Sequence, residues 1–382
     1  MNLIPFESKL NDNVIFGNGS LNKLGGVARD LGFKRPLLVA DRGLVKSGHV
    51  ESAIGHLEKN GCEPTVFDDF EVNPDSSMVS KGKNFAVQFD IDSIVGLGGG
   101  SSLDCAKAIN FLLTNGGCMQ DYRGYGKASR KFLPMIGIPT TAGTGSEAQS
   151  YALITDNKTN MKMACGDPKA VFQAVILDPL LTLSQPIQVS VAAGFDAISH
   201  AVESFVSTKR NTFSEYYSRE AWRLLEDSYR RILENSNDLN ARAGMLLGAH
   251  FAGMAIENSM LGASHACANP LTCFYGITHG IAIGILLPKV VRWNIPAVGK
   301  QYQELIRLVG RRRVNEYDPE VLADELEEMV HLGKMPSNLG YFGILKNDLS
   351  RLADAAARQW TGQFNPRTFN RSGALEVYNW SL

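Results

Sequence analysis

The sequence lacks several features that would place it in a specialised class of protein. Its six cysteines form no C-x-x-C pair, so they are interpreted as reduced thiols and not as a disulfide framework. A formal net charge of -1 gives no electrostatic reason to expect binding to nucleic acid or to an anionic membrane surface. No apolar run reaches the roughly 18 residues that span a bilayer, and residues 1–13 lack a signal peptide's apolar segment. These absences predict a cytoplasmic protein that binds neither nucleic acid nor membrane.

Length and composition are those of an ordinary globular protein with two domains. Hydrophobic residues make up 44% of the 382 residues and charged residues 20%, and there is no low-complexity tract or repeat period. A chain of this length exceeds what one hydrophobic core usually supports. The arginine triplet Arg311-Arg312-Arg313 is interpreted as a solvated helix end or the loop beside it.

Strand and helix patterns alternate in the first half of the chain and give way to helices in the second. Leu37–Ala40 and Ile91–Leu97 are apolar runs typical of parallel strands that are covered on both faces, and helical patterns separate them. These patterns predict an α/β fold class, with a doubly wound parallel-sheet domain in residues 1–185 and an all-helical domain in residues 186–382. The helices predicted in the second half include Val189–Thr208, Ser214–Asn235, Leu239–Asn258 and Pro270–Phe274.

Two loops that follow predicted strands have the composition of a phosphate- or ribose-binding site. The run Gly98-Gly99-Gly100-Ser101-Ser102 stands between a strand and a helix, where glycines let the backbone approach a phosphate and the helix amides bind the anion. The G-x-G-x-x-G fingerprint is absent. A flexible loop with a serine or threonine turn is the alternative, but two such loops in one sheet favour ligand binding. The second loop contains Thr140, Thr141, Thr144 and Ser146.

Asp41 closes the apolar run Leu37–Ala40 and has two interpretations. An acidic residue at the end of a strand near a dinucleotide site commonly binds the ribose hydroxyls of the adenosine. The alternative is a residue that caps a helix N-terminus or a turn. The sequence pattern alone leaves both interpretations open.

One aspartate and three histidines are candidates for a metal site. Asp196 and His200 stand four residues apart in a predicted helix and therefore share a face, and His265 and His279 follow in glycine-containing segments. This set suits a divalent metal such as zinc or ferrous iron, and the alternative for the first pair is a surface ion pair. Cys267 is interpreted as a packed thiol because it falls on a different helix face from His265.

Taken together and in this order, the motifs resemble those of the iron-containing (group III) alcohol dehydrogenases. The similarity runs from Phe16-Gly17-Asn18-Gly19 to Asn365-Pro366-Arg367, which is essentially full length. It implies a metal-dependent, NAD(H)-linked alcohol dehydrogenase or aldehyde reductase with a small alcohol or aldehyde as substrate. The implied metal is Fe2+, with Zn2+ as the alternative. The resemblance also implies a homo-oligomer, a homodimer or larger.

The resemblance further implies roles for individual residues. It makes Asp196, His200, His265 and His279 the metal ligands at the catalytic centre. It makes Asp41 a carboxylate that favours NAD, because a negative charge repels the extra phosphate of NADP. The other positions that it places around the cofactor are Gly98, Gly99, Gly100, Ser101, Ser102, Thr140, Thr141, Thr144 and Ser146, and less directly Asn73, Asp104, Lys107 and Lys162.

Two positions depart from the pattern of the family. Asn269 stands where the family commonly has a second histidine close to the nicotinamide, and Ile283 stands where it often has asparagine. An amide cannot relay a proton, although it can hydrogen-bond a substrate oxygen. Asn269 is therefore a candidate catalytic residue that binds substrate, and the proton pathway differs from that of the family.

Three alternatives to this function were open from the sequence. A lyase resembling dehydroquinate synthase uses NAD and zinc, but it would need a more basic substrate pocket than this sequence indicates. A metal-free reductase of the same family and a non-catalytic nucleotide-binding protein are the others. Both are disfavoured because all four ligand positions are filled.

Overall fold

The computed structural model describes residues 13–310 and 318–382. The expectation about a signal peptide and the interpretation of Arg311-Arg312-Arg313 lie outside these residues. The described chain divides into two compact units, one ending at Gln185 and the other beginning at Pro186. Each unit is described separately below.

Strands and helices alternate through the first unit, because short apolar runs are separated by amphipathic segments. The five helices are α1 (Leu24–Asp30), α2 (Arg42–Lys46), α3 (His49–Glu58), α4 (Ser76–Ala86) and α5 (Gly100–Asn115). The nine strands are β1 (Val14–Phe16), β2 (Pro36–Val39), β3 (Thr65–Phe67), β4 (Ser93–Gly98), β5 (Gly124–Tyr125), β6 (Met135–Pro139), β7 (Tyr151–Thr155), β8 (Lys162–Gly166) and β9 (Ala174–Leu177).

Six of these strands form one parallel sheet in the order β1-β9-β6-β4-β2-β3. Strands β2, β4, β6 and β9 are buried along their whole length, as expected where both faces of a parallel sheet are covered. Their apolar side chains pack with those of α1 and α3 into one core. The chain runs outward from β2 to β3 and returns to β4 on the other side of β2. Ligands of open α/β sheets bind at the carboxyl ends of strands beside such a reversal.

A second, smaller sheet in this unit has no counterpart in the sequence prediction. It consists of β5, β8 and β7, with β7 and β8 antiparallel and β5 and β8 parallel. Strand β5 has only two residues, which is too short for any periodicity to indicate it. The prediction of a parallel sheet is therefore confirmed but incomplete.

Helices make up the regular structure of the described residues from 186 onward, which confirms the predicted helical second half. Helix α6 is buried on nearly every face, with 16 of its 20 residues buried, and it packs against α7, α8 and α10. The helices are α6 (Ile187–Val206), α7 (Thr212–Glu234), α8 (Leu239–Glu257), α9 (Ala263–Tyr275), α10 (His279–Val309), α11 (Val321–Leu332), α12 (Leu349–Ala356) and α13 (Arg371–Trp380).

Two helices differ from the sequence expectations. The prediction that a helix begins at Pro270 is wrong, because α9 begins at Ala263 and runs through Pro270. Helix α10 has 31 residues and is long and apolar enough to cross a membrane by length and composition. However, 67% of its apolar window is buried inside the protein, as in the core helix of a globular domain. Its backbone also leaves helical geometry at Val298.

Candidate functional site

Two of the predicted metal ligands project from the central helix α6. Asp196 and His200 lie four residues apart, and Asp196 Oδ1 is 3.4 Å from His200 Nε2. Each residue is only 5% exposed. The pair is therefore not an ion pair on a solvated helix surface, which was the alternative that the sequence left open.

The other two imidazoles come from the first turns of α9 and α10. His265 is the third residue of α9, and His279 is the first residue of α10. Gly280 lets α10 approach α6 closely, since a Cβ at this position would lie 2.0 Å from the carbonyl oxygen of Ala192. The pair His279-Gly280 thus brings an imidazole to α6 without a neighbouring side chain that would hold the two helices apart.

The four side chains converge on one point. Asp196 Oδ1 is 3.4, 3.5 and 3.6 Å from the Nε2 atoms of His200, His265 and His279. The Nε2 atoms of His200 and His265 are 3.1 Å apart. Donor atoms that lie about 2.1 Å from a tetrahedral metal are about 3.4 Å from one another. The spacing therefore fits a divalent metal.

The chemistry of this donor set also fits a metal. The ligand atoms of Asp196, His265 and His279 all lie within 4.8 Å of one another. Asp196 Oδ1 is buried and has no hydrogen-bond partner among the described residues. A buried carboxylate oxygen without a partner is costly, and coordination to a cation is one of the few ways to stabilise it.

Electrostatics hold the cluster in a charged state in the metal-free protein. Burial alone would raise the pKa of Asp196, but the imidazoles of His200, His279 and His265 outweigh it and lower that pKa. Burial alone would lower the pKa of His265, but the carboxylates of Glu203 and Asp196 raise it to about 9. A cation entering the cluster would therefore displace a proton from His265 and take over its favourable interactions.

Glu203 is a residue of this site that the sequence prediction missed. It lies on α6, seven residues after Asp196, and is 4% exposed. Its Oε2 is 2.5 Å from His265 Nδ1, and its Oε1 accepts a hydrogen bond of 2.7 Å from the backbone N–H of Ser264. Burial would raise the pKa of Glu203, but His265 and the backbone N–H groups at the start of α9 lower it. The signal in the sequence was the seven-residue spacing between Asp196 and Glu203, because residues seven apart lie on the same face of a helix.

The glycine run lies at the carboxyl end of β4, where the sequence prediction placed a phosphate site. Gly98 ends β4 with a φ of 146°, and α5 begins at Gly100 without a side-chain cap. A Cβ at Gly100 would lie 2.7 Å from Thr144 Oγ1, so the loop after β6 covers this turn. Ser102 Oγ is buried and has no hydrogen-bond partner among the described residues. A helix start without a side-chain cap, bare glycines and an unpartnered hydroxyl fit a pyrophosphate.

The hydroxyl-rich loop after β6 is held in place beside the glycine run. Thr140 donates its backbone N–H to the Gly98 carbonyl at 3.0 Å, and Thr144 Oγ1 accepts hydrogen bonds from the backbone N–H and the hydroxyl of Ser146. Thr141 lies against Gly99, where a Cβ would be 3.1 Å from its Oγ1. The structure thus brings these predicted cofactor residues together at the carboxyl ends of two neighbouring strands.

Lys107 connects α5 to this loop through its side chain. It is fully buried, and its ammonium group donates to the carbonyl oxygens of Ser146, Gln149 and Tyr151 at 2.6, 2.5 and 2.9 Å. The ammonium also lies 5.2 Å from the centre of the Phe172 ring. The Lys107 ammonium therefore binds the protein backbone and is not directed at a ligand.

The remaining predicted cofactor residues have varied surroundings. Asp41 follows β2 and caps α2, since its Oδ1 accepts from the backbone N–H groups of Gly43 and Leu44. Asn73 is exposed and donates its backbone N–H to Ser101 Oγ at 3.0 Å. Asp104 is buried, which raises its pKa although the charge of Lys107 opposes the rise. Lys162 lies exposed on β8.

Asn269 lies one helical turn after His265 on α9. Residues four apart share a helix face, so Asn269 lies on the face of α9 that carries His265. Asn269 Nδ2 donates a hydrogen bond of 3.1 Å to the side-chain oxygen of Gln359. Cys267, between the two, is fully buried, and burial raises the pKa of its thiol. It is a packed thiol, as predicted.

Two family profiles together match nearly the whole chain. The family described as "Iron-containing alcohol dehydrogenase" matches residues 11–179. The one described as "Fe-containing alcohol dehydrogenase family, C-terminal" matches residues 190–382.

Individual relatives are similar over the same length. Alcohol dehydrogenase 4 of Schizosaccharomyces pombe is 33% identical over 354 residues, which is 92% of this chain and 83% of that protein. A solved structure of 1,3-propanediol oxidoreductase matches with a TM-score of 0.95 and 29% identity, covering 99% of this chain and 100% of that one. Sulfoacetaldehyde reductase from Bifidobacterium kashiwanohense, solved in complex with NAD+, matches with a TM-score of 0.90 and 26% identity, covering 99% of both chains.

Proposed function

Because the chain belongs to the iron-containing alcohol dehydrogenase family, we propose that it interconverts a small alcohol and its aldehyde with NAD(H) as hydride carrier. The family and the oxidoreductase class predicted from the sequence motifs are confirmed. The observation that carries the proposal is the convergence of one buried aspartate and three imidazoles at the spacing of a divalent-metal site.

Asp196, His200, His265 and His279 would hold the metal, with Fe2+ as the first choice and Zn2+ as the alternative. When bound, the metal supplies Lewis acidity toward a substrate oxygen, and the nicotinamide supplies or accepts the hydride. Both metals accept imidazole and carboxylate ligands, so availability decides between them. The Asp196 carboxylate offsets part of the charge of the metal, which three neutral imidazoles cannot do.

The four ligands differ in how far they are open to solvent. The side chain of His279 is 24% exposed, whereas those of Asp196, His200 and His265 are at most 8% exposed. The three buried ligands would exclude water from one side of the site. The substrate would therefore approach from the side on which His279 lies, and Asn269 would hydrogen-bond its oxygen as a fixed amide.

Residues 1–185 would form the dinucleotide-binding domain, and residues 186–382 the metal-binding and substrate domain. Gly98, Gly99, Gly100, Ser101 and Ser102 would bind the pyrophosphate through backbone amides and hydroxyls. Asp41 would accept the ribose hydroxyls with the carboxylate oxygen that does not cap α2, and so favour NAD over NADP. The further positions proposed around the cofactor are Asn73, Asp104, Thr140, Thr141, Thr144, Ser146 and Lys162, with Lys107 holding the loop in place.

A cytoplasmic location and a homodimer or larger homo-oligomer complete the proposal. Six free cysteines, four of them buried, suit a reducing compartment. Strand β1 is an edge strand of the large sheet, and Val14 and Phe16 on it are 40% and 45% exposed. Apolar side chains on an edge strand favour pairing with a second copy. No part of the proposal requires nucleic acid or a membrane as partner.

Metal analysis of protein purified anaerobically, beside NADH-linked reduction of short aldehydes, tests the proposal. We expect about one metal per chain and turnover that is lost with a chelator and restored by Fe2+ or Zn2+. His265→Ala should lose metal and turnover but retain NADH binding. His331→Ala, a change to an exposed histidine on α11, is the control and should retain all three.

Turnover of the metal-free protein would contradict the role of the metal. Metal binding without any NADH-linked turnover of alcohols or aldehydes would instead contradict the proposed reaction but not the proposed metal site.

A further inference from the structure

A third acidic or basic group lies on the face of α6 that carries two proposed metal ligands. Asp196, His200 and Glu203 follow at i, i+4 and i+7, so their side chains leave the helix in one direction. Glu203 is not one of the proposed ligands, because both of its carboxylate oxygens contact other groups. Both of them contact the first turn of α9.

The two oxygens of Glu203 bind two successive residues of α9. Oε1 accepts the backbone N–H of Ser264 at 2.7 Å, which satisfies one of the amides that a helix leaves free at its N-terminus. Oε2 lies 2.5 Å from Nδ1 of His265. A single carboxylate on α6 therefore fixes both the position of the α9 backbone and the orientation of one imidazole.

An ionised carboxylate only accepts hydrogen bonds, so the atom of His265 that faces Glu203 must carry a hydrogen. With Nδ1 protonated, a neutral imidazole has its lone pair on Nε2. That Nε2 is the atom directed at the cluster, 3.5 Å from Asp196 Oδ1 and 3.1 Å from His200 Nε2. The contact thus selects the one neutral tautomer of His265 that can bind a metal inside the cluster.

We propose that Glu203 is a positioning residue that sets the tautomer and the ring orientation of His265 for metal binding. The inference rests on the proposed function, since it assigns Glu203 a role toward the metal that this function requires. Carboxylates in such a position raise the basicity of the ligating imidazole, and their loss typically costs 10- to 100-fold in metal affinity.

Glu203→Gln is the sharpest test because it keeps the size of the side chain and replaces a charged acceptor with a neutral amide. The amide has one oxygen and one NH2 group, whereas Ser264 N–H and His265 Nδ1–H are both donors. With its oxygen on Ser264, the amide turns its NH2 group toward Nδ1, which favours the tautomer with the hydrogen on Nε2. That tautomer blocks metal binding. With its oxygen on Nδ1–H, the amide leaves the Ser264 N–H facing another donor at a buried site.

Affinity for Co2+ added to the chelator-stripped protein gives a readout that does not depend on turnover. We expect Glu203→Gln to weaken Co2+ binding about 10- to 100-fold in competition with a chromophoric chelator. The visible Co2+ absorption band should change because the geometry at His265 changes. Glu203→Asp keeps an acceptor but shortens the side chain, so its affinity should be intermediate. NADH binding should be unchanged in both variants.

Glu226→Gln is the matched control. Glu226 is another buried glutamate of this unit, on α7, and it forms an ion pair with Arg230. This variant should retain the parental Co2+ affinity and spectrum even where it lowers stability. An equal loss in Glu226→Gln would mean that any buried carboxylate in these helices has the same effect, which would overturn the inference.

The outcomes separate this inference from the proposed function. Parental Co2+ affinity in a folded Glu203→Gln variant overturns the positioning role and leaves the metal site intact. Where Glu203→Gln fails to fold, parental Co2+ affinity in a folded Glu203→Ala variant, which has no acceptor for His265 Nδ1–H, overturns it in the same way. Failure of the unsubstituted protein to bind Co2+, Zn2+ or Fe2+ overturns the proposed function, and the role of Glu203 with it.

Discussion

Asn269 donates a hydrogen bond of 3.1 Å from its side-chain nitrogen to the side-chain oxygen of Gln359. This bond fixes which way the amide of Asn269 points, because its nitrogen is held toward Gln359 and its oxygen is left on the other side. In the proposed function, the oxygen and the second N–H would then be offered to the substrate. Unlike an imidazole, this amide does not change its charge in the pH range in which enzymes work.

Replacing Asn269 by alanine tests whether the amide binds substrate. We expect kcat/KM for the preferred aldehyde to fall about five- to tenfold, the loss of one ordinary hydrogen bond, with NADH binding unchanged. Steady-state kinetics with saturating NADH measure the effect. An unchanged kcat/KM would place the amide away from the substrate.

Asn269→His addresses the proton pathway. An imidazole at this position adds a group with a pKa near 6.5, so we expect a new bend in the pH–rate profile near that value and a higher rate at neutral pH. The comparison is the profile of the unsubstituted enzyme. A profile of the same shape would show that protons leave by a route that does not pass position 269.

The two interpretations of Asp41 can be separated by two substitutions. Asp41→Asn keeps the cap of α2 and removes the charge, whereas Asp41→Gly removes both at a cost of only a few tenths of a kcal/mol. We expect both variants to improve the ratio of NADPH to NADH efficiency about tenfold. The ratio of the two kcat/KM values is the measurement. If only Asp41→Gly changes it, then the shape of the cap and not the charge selects the cofactor.

Lys107→Met removes a buried ammonium and leaves three carbonyl oxygens facing an apolar chain. We expect the free energy of unfolding to fall by about 3–5 kcal/mol, as when one partner of a buried charged contact is removed. Affinity for NADH should fall as well, because the loop at Thr144 loses its anchor. Urea unfolding and NADH fluorescence titration measure the two effects. Lys131→Met, a change to an exposed lysine, is the control and should leave both unchanged.

The stability of the metal-free protein should decrease as pH rises above neutrality. The pKa of His265 is raised from 6.5 to about 9 in the folded protein, so its contribution is complete below pH 6.5 and is lost as pH rises through about 9. The full shift corresponds to about 3 kcal/mol. Urea unfolding of chelator-stripped protein between pH 6 and pH 10 measures it, relative to His265→Ala. Equal pH dependence of the two proteins would contradict the interaction with Glu203 and Asp196.

Local patterns in the sequence were sufficient for the parts of the site that lie within one element. The four-residue spacing of Asp196 and His200 indicated a shared helix face, and the run Gly98-Gly99-Gly100 between a strand and a helix indicated the turn that the structure shows. Both follow from the geometry of a single helix or turn. The order of the sheet strands also follows the rules for alternating strands and helices.

Such local patterns could not predict contacts between residues that are far apart in the sequence. Glu203 meets Ser264 and His265 across about sixty residues of chain, and nothing near Glu203 indicates which segment will lie against it. His265 and His279 were candidates by residue type alone, because no spacing within one helix relates them to Asp196. The sequence prediction began a helix at Pro270, whereas α9 begins at Ala263 and continues through this proline. Asp41 caps a helix, and a cap does not exclude a second role for its other oxygen.

The three hydrogen bonds that Lys107 donates to backbone carbonyls have a consequence for how the proposed cofactor site opens. The ammonium holds the segment from Ser146 to Tyr151 against α5, so this segment cannot move away without leaving a buried ammonium without its hydrogen-bond acceptors. Hydrogen exchange should therefore find the amides of this loop and those of the first turns of α5 exchanging together, as one cooperative unit. In Lys107→Met the two segments should exchange at separate rates. In the unsubstituted protein, the glycine run and the loop after β6 would thus form one rigid unit that folds and unfolds together, although they are separate segments of the chain.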